Sequence, residues 1–309
     1  MTILFACTIR DARPWLQAFQ TLDPDIPVRT WPDGGDLGAV RFVITWQPPA
    51  GLFPRLPNLG AVSSLGAGVE VLLANPDIPG HVPLLRIVDA NLTGKMTEYV
   101  VLHILRQHRD LARIETQQRA GRWLRFPTRD TARTTVGFLG LGTLGRHAAA
   151  QVQAMGFRVR GWTRAPRHVA GVEVFHGRAM LPAFLAGCDY LVCLLPQTPE
   201  TNGIVDAALL AGLPPGAHFI NGGRGGQVVD ADLLAALDCG GLASATLDVF
   251  TTEPLPPSHR FWTHPRVTIT PHNAADSSPE TVAPQMLENY RRLVAGQPLL
   301  NRVDRARGY

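Results

Sequence analysis

Three segments of the chain each end an apolar run in a residue able to do chemistry. They are Phe219-Ile-Asn-Gly-Gly-Arg224-Gly-Gly, Leu247-Asp-Val-Phe-Thr-Thr-Glu253-Pro and Thr270-Pro-His272-Asn-Ala-Ala. Arginine presents a planar fork that matches the two oxygens of a carboxylate. Histidine moves protons near neutrality, and a neighbouring carboxylate favours its charged, proton-donating form. Arg224, Glu253 and His272 can therefore fill the protein roles that reduction of a 2-keto acid requires: a cation for the acid and the carbonyl, a proton donor, and a partner for that donor. Taken singly, each also has a plainer reading. Arg224 could be a solvated turn residue, Glu253 a turn residue before Pro254, and His272 a loop cap after Pro271. The other nine histidines, His103, His108, His259 and His264 among them, lack a strand-end setting and read as surface or structural.

A reductase also needs a hydride source. Gly140-Leu141-Gly142-Thr143-Leu144-Gly145 directly follows the apolar run Val136 to Leu139 and opens a Pro-free helix, Arg146 to Met155. In that setting the three glycines have separate roles: a tight turn, close backbone approach to a pyrophosphate, and close packing of helix on strand. The pyrophosphate then rests on the helix N-terminus, where N–H groups and the helix dipole favour anions; Thr143 and Leu144 share that position. An NAD site places an acid about 20 residues further on, for the adenine ribose. Here no acidic residue lies between Gly140 and Val172, and the next strand ends in Trp162-Thr163-Arg164-Ala165-Pro166-Arg167. A carboxylate would repel a 2'-phosphate, whereas a guanidinium pairs with it, so Arg164 and Arg167 point to NADPH over NADH. The same missing acid argues against a methyltransferase.

These residues need a frame. In the first 90 residues, short apolar runs (Ile3 to Cys7, Val40 to Trp46, Val62 to Leu65, Leu84 to Val88) alternate with Pro- and Gly-rich turns, which predicts a small α/β domain. Met96 to about Gly121 lacks Pro and internal Gly and reads as one long helix leading to the next domain. Strands are expected at Val136 to Leu139, Phe157 to Trp162, Tyr190 to Leu195, Ala217 to Ile220, Ala245 to Val249 and Val267 to Thr270, with a last helix over Ser277 to Ala295. Alternating β and α elements imply doubly wound parallel sheets. Ligands of such sheets bind beyond the carboxyl ends of the strands, so the glycine loop and the three strand-end residues should share a crevice.

Composition narrows the class. The 309 residues, 45% apolar and 17% charged, suit a soluble two-domain protein, with no apolar run of membrane-spanning length. The start, Met1-Thr-Ile-Leu-Phe, reads as a first strand with no secretory leader. Cys7, Cys188, Cys193 and Cys239 form no C-x-x-C pair, against a disulfide framework or a structural metal site and for a cytoplasmic protein with incidental thiols. Lys+Arg 29 against Asp+Glu 25 gives +4, with the arginines scattered, so nucleic acid is not suggested. A mildly basic balance does suit small anionic ligands.

The chain resembles the D-2-hydroxyacid dehydrogenase family, most closely its glyoxylate/hydroxypyruvate reductase A branch. The resemblance covers nearly the whole length. It rests on the glycine loop, Leu195-Pro-x-Thr-Pro-Glu-Thr201, Asn221-x-x-Arg224-Gly, Asp248-Val-Phe-x-x-Glu253-Pro and Pro271-His272-Asn. It implies two Rossmann-like domains with the active site in the cleft between them. Residues 1–96 with 277–309 would form the substrate-binding domain, and 97–276 the NADP-binding domain. Arg224, Glu253 and His272 match the family's catalytic trio, with His272 as proton donor. Leu195, Pro196, Thr201, Gly222, Gly223, Asp248 and Ala274 match positions around the nicotinamide and its ribose. In Ser64-Leu-Gly-Ala-Gly68, the amides of Ala67 and Gly68 match those that hold the substrate carboxylate. Trp46 falls where the branch places a pocket aromatic, though it also reads as a buried strand residue, and Met96 and Thr97 border that pocket. Glu70 stands where many members carry Asp. With no further domain after residue 309, a phosphoglycerate dehydrogenase with a regulatory module is not expected. A homodimer through the cofactor-binding domain and a metal-free mechanism are implied. The competing expectations are a dehydrogenase for a bulkier 2-keto acid and a nucleotide-sensing binding protein.

Overall fold

A computed structural model describes residues 1–309. The chain divides into two compact units, Met1–Leu92 with Asp276–Tyr309, and Thr93–Ala275. The first crossing lies inside a helix, Ala90–His108.

The first unit is built on β1 (Thr2–Phe5), β2 (Val28–Thr30), β3 (Val40–Thr45), β4 (Ala61–Ser64) and β5 (Leu84–Leu85). All pair in parallel, in the order β2-β1-β3-β4-β5. The central strands are buried at every residue but Arg41, as parallel strands covered on both faces must be, which is why Ile3 to Phe5 and Phe42 to Ile44 read as apolar runs. The chain's end completes this unit. Helix Pro279–Val294 packs Val282, Met286, Leu287 and Tyr290 into one core with Ile3, Phe5, Phe42 and Ile44. Asn289, buried beneath it, holds Leu300 by both backbone groups, and Leu85 bridges antiparallel to Arg302 at the sheet edge.

The second unit carries β6 (Thr135–Leu139), β7 (Arg158–Thr163), β8 (Glu173–His176), β9 (Tyr190–Cys193), β10 (Ala217–Asn221), β11 (Leu242–Leu247) and β12 (Val267–Ile269). They form one parallel sheet in the order β12-β11-β10-β9-β6-β7-β8. Alternate residues enter opposite cores. Leu139, Leu191, Phe219 and Ala245 meet Phe184 and Leu233 on one face, while Val136, Phe138, Val192 and Ile220 meet Val100, Ala148 and Ala149 on the other. Strand order reverses between β6 and β9, the place where doubly wound sheets open a ligand crevice. The glycine loop leaves β6 at that point.

Two expectations need correction. The helix expected over Met96 to Gly121 starts earlier, at Ala90, and is two helices, Ala90–His108 and Leu111–Arg119. The break is at Asp110, which takes the left-handed conformation (φ 53°), open to Asp because its short polar side chain tolerates it. Strand β8, at the sheet edge, went unrecognised because only Val174 and Phe175 are apolar in it.

The turn after β6 sets how closely its helix, Thr143–Ala154, meets the sheet. A Cβ on Gly145 would lie 2.0 Å from the carbonyl oxygen of Gly140, whereas one on Gly142 would meet nothing within 4 Å. Gly145→Ala must therefore lift the helix or distort the turn, and it is expected to cost about 3 kcal/mol, the upper range of overpacking. Gly142→Ala, at the helix cap, should cost less than about 1 kcal/mol. Urea midpoints of the two variants check this; equal losses would show that helix approach is not what Gly145 secures.

Candidate active site

The cofactor end is assembled first. Gly140 turns at φ 100°, and its N–H donates to the Trp162 carbonyl at 3.1 Å, tying the loop to the end of β7. Helix Thr143–Ala154 starts at Gly142 without a side-chain cap or an acid in its first turn. Its leading N–H groups, those of Thr143, Leu144 and Gly145, thus lack the partner that most helix starts supply for themselves, and an anion is the natural one. Arg164 and Arg167 are exposed beyond β7. Arg167 Nη1 donates to the Leu141 carbonyl at 2.5 Å, so this arginine also braces the loop. Trp162 differs from a free cofactor contact. Its indole is buried and its N–H is committed to the Gly177 carbonyl at 2.9 Å. Thr163 Oγ1 closes its own turn on the Ala165 carbonyl.

The loop after β9 is stapled by Thr201. Its Oγ1 donates to the Pro196 carbonyl at 2.7 Å and accepts the Thr198 N–H at 2.8 Å, holding Leu195 and Pro196 in a fixed turn. Beneath it lies Gln227, which the sequence reading missed. Wholly buried, it donates from Nε2 to the Leu195 carbonyl (2.6 Å), while its Oε1 accepts the Arg224 N–H (3.0 Å) and the Cys193 thiol (3.2 Å). One amide thus locks two loops together. Asn221 completes the second loop, accepting the Gly223 N–H at 3.0 Å and donating to the Arg224 carbonyl at 3.1 Å. Arg224 itself donates from Nη1 to the Gly223 carbonyl. Gly222 packs beside Met96, whose Sδ would be 3.1 Å from a Cβ there. At Gly225 a Cβ would fall 1.8 Å from the Phe250 carbonyl carbon, so the loops carrying Arg224 and Glu253 touch backbone to backbone.

That contact brings the catalytic candidates together. Glu253 Oε1 accepts the Phe250 N–H at 2.9 Å, and its Oε2 lies 2.7 Å from His272 Nδ1. Partial burial alone would push the Glu253 carboxyl up. The bond from His272, the Phe250 N–H and the charges of His272 and Arg224 outweigh it and hold this carboxyl below its ordinary range. An ionised carboxylate can only accept, so Nδ1 carries the hydrogen and Nε2 is the ring nitrogen left to serve a ligand. His272 stands at φ 52°, an unusual backbone for a non-glycine residue. Asp248, 2% exposed, sets that turn: its carbonyl accepts the His272 N–H (2.9 Å), Oδ1 the Asn273 N–H (3.0 Å) and Oδ2 the Ala274 N–H (3.0 Å).

The first unit holds a separate group. Ser64 Oγ donates to the Gly68 carbonyl at 2.8 Å and accepts the Gly66 N–H at 3.2 Å, curling the loop without using the Ala67 and Gly68 N–H groups. The Trp46 ring lies flush on this loop, 2.2 Å from where a Gly66 Cβ would be, and lines a pocket with Ser64, Gly68 and Glu70. Thr97, in the second unit, meets His147 Nδ1 at 2.7 Å. Of the other histidines, His103 and His108 are buried, while His259 and His264 contact Asp230 and Asp238. No grouping of acids, histidines or cysteines suits a metal ion.

The residues present fit a dinucleotide: an uncapped helix start behind a glycine turn, with two exposed arginines just beyond the end of β7. A family model described as "D-isomer specific 2-hydroxyacid dehydrogenase, NAD binding domain" matches residues 101–274. The chain is 41% identical to the glyoxylate/hydroxypyruvate reductase A of Serratia proteamaculans, over the whole of both proteins. Among solved structures, a D-isomer specific 2-hydroxyacid dehydrogenase from Xanthobacter autotrophicus in complex with NADPH and MES superposes with a TM-score of 0.95. It is 46% identical and covers 100% of this chain and 99% of that one. The NADPH-dependent glyoxylate/hydroxypyruvate reductase of Sinorhizobium meliloti, in complex with NADP and sulfate, gives 0.94 at 38% identity with the same coverage. Motifs, fold and full-length similarity agree, and the chain belongs to the D-isomer specific 2-hydroxyacid dehydrogenase family, among relatives of the glyoxylate/hydroxypyruvate reductase A branch.

Proposed function

We propose that this protein is an NADPH-dependent reductase of small 2-keto acids, glyoxylate and hydroxypyruvate first, in which His272 gives the proton to the carbonyl oxygen. The observation that carries the reading is the 2.7 Å pair between His272 Nδ1 and Glu253. It fixes the ring and leaves Nε2 as the transferring atom. Arg224 is the cation for the substrate's carboxylate and carbonyl, because its fork suits two oxygens. In the first unit, the Ala67 and Gly68 amides are donors suited to a substrate carboxylate, and Trp46 bounds the space beside them. NADPH, when bound, supplies the hydride. The Gly140–Gly145 loop seats its pyrophosphate, Leu195, Pro196, Thr201, Gly222, Gly223, Asp248 and Ala274 surround its nicotinamide end, and Arg164 with Arg167 takes the 2'-phosphate. The names of the Serratia and Sinorhizobium relatives and the NADPH bound in the Xanthobacter protein support this assignment. The protein works in the cytoplasm as a homodimer; no helix is long and apolar enough to cross a membrane. Sedimentation at micromolar concentration should give twice the 33.5 kDa chain mass, and a monomer there would reject the dimer.

Purified protein with NADPH and a panel of 2-keto acids should oxidise the cofactor fastest with the two smallest hydroxylated or aldehydic acids; no turnover with any acid favours a sensor role. His272→Ala should lower kcat by roughly 10²–10⁴-fold, the usual contribution of general acid–base catalysis, while NADPH still binds. A near-normal rate would remove His272 from proton transfer.

The cofactor preference has a sharper test. Arg167 also braces Leu141, so Arg167→Ala should weaken NADPH and NADH together. Arg164→Ala should weaken NADPH by about 10- to 100-fold, the scale of a lost charge-assisted bond, and leave NADH nearly unchanged. Equal loss for both cofactors in calorimetric titration would sink the 2'-phosphate assignment for Arg164.

A further inference from the structure

We infer that Tyr99 and Thr270 are positioning residues for His272, acting through the buried carboxylate of Asp248. The inference rests on His272 being the proton donor and deepens that reading. Neither side chain touches the His272–Glu253 pair, although the Thr270 backbone carbonyl shares the His272 N–H at 3.1 Å with that of Asp248, and neither was singled out as a site residue by the sequence. Their hydroxyls form a chain into the site: Tyr99 Oη lies 2.8 Å from Thr270 Oγ1, and Thr270 Oγ1 donates to Asp248 Oδ1 at 2.6 Å.

The chain has a fixed direction. A hydroxyl has a single hydrogen, and Thr270 gives its own to Asp248, so Tyr99 must be the donor to Thr270. Burial pushes the Tyr99 phenol up, which keeps it a neutral donor. Its ring is held from the side by His103, edge-on with centroids 4.4 Å apart. Asp248 therefore receives one hydrogen bond from the end of β12 through Thr270 and two from the Asn273 and Ala274 N–H groups, while its carbonyl takes the His272 N–H. These bonds straddle His272 on both sides.

The backbone at His272 needs such support. A φ of 52° is a conformation that a histidine adopts only when its surroundings over-determine it. A buried carboxylate that loses a donor seeks another, here by shifting toward water or toward a neighbouring N–H. Either shift moves the acceptor on which residues 272–274 hang, and the imidazole moves with them. Asp248 and Ala274 also border the nicotinamide end in the proposed reading, but the phosphates are assigned to the glycine loop and the arginines, at the other end of the sheet's crevice, so the larger cost should fall on turnover.

Four variants and one control test this. Thr270→Val keeps the shape and removes the hydroxyl; Thr270→Ser keeps the hydroxyl; Tyr99→Phe removes the far donor; and Tyr99→Phe with Thr270→Val removes both. Thr270→Val should lower kcat by roughly 10-fold or more, as misplacing a reacting group does. Tyr99→Phe should lower it less, and the double variant should be no worse than Thr270→Val alone, because both act through one chain. Thr270→Ser should restore most of the rate, and the Kd for NADPH should change far less than kcat throughout, since no group assigned to the phosphates is altered. Equal losses for Val and Ser, additive losses in the double variant, or a parallel fall in NADPH affinity would each overturn the inference. Should Thr270→Val not fold, an unchanged kcat in Tyr99→Phe would overturn it alone. His272→Ala is the control. If it keeps near-normal turnover, the donor assignment itself has failed; if it is inactive while Thr270→Val is normal, only the positioning role has.

Discussion

The buried carboxylate of Asp248 is the interaction from which the reactive end of the site hangs. A charge this far from water is tolerated only when donors surround it, and those donors come from the end of β12 and the turn that follows. Its own N–H donates to the Asn221 carbonyl at the end of β10. Three neighbouring strand ends, β10, β11 and β12, are thus joined at one residue. Because His272 and Arg224 each leave one of these ends, the spacing of the sheet becomes the spacing of the candidate catalytic groups.

Gln227 does for the other half what Asp248 does here. Its amide joins the loop after β9 to the loop after β10, so the turn that would face the nicotinamide and the backbone of Arg224 share one anchor. Burial pushes the Cys193 thiol beside it up to about 12. That sulfur is therefore a neutral S–H donor and no nucleophile. The glycine loop completes the crevice by a different means: close packing of Gly145 on Gly140 leaves helix N–H groups pointing outward. Electrostatics agree from end to end, with an acid-free helix start beside two exposed arginines, and one carboxylate shared between the Phe250 N–H and His272.

Much of this was legible in the sequence because parallel strands covered on both faces are mostly apolar. Val136 to Leu139 and Tyr190 to Leu195 show it most plainly. Strand β8 had no such signal, since an edge strand needs only one buried face. The helix break at Asp110 was hidden because the residue in left-handed conformation is neither Gly nor Pro. The glycine loop, Arg224, Glu253 and His272 stood out because their chemistry is carried by residue type and strand-end position. Gln227, Thr270 and Tyr99 did not, because their roles exist only in hydrogen bonds between residues up to 171 positions apart in the chain. Trp162 shows the converse: its place after the second strand invited a ligand role, while its indole N–H is already taken by Gly177.

The pairing of Glu253 with His272 joins site chemistry to stability. Because the folded state holds the Glu253 carboxyl below its ordinary value of 4.5, ionised Glu253 favours the folded chain above that value, and the benefit is lost as pH falls through the lower, folded value. Both side chains are about one-third exposed, so water screens the pair and its contribution to stability is small. Its value lies in geometry. In the proposed reduction, two protonatable groups held at 2.7 Å by independent backbone anchors, Phe250 for one and Asp248 for the other, would need no rearrangement as Nε2 gives up a proton. Preorganisation of that kind accelerates a reaction without demanding tight substrate binding, because the cost of orienting the donor is met when the chain folds.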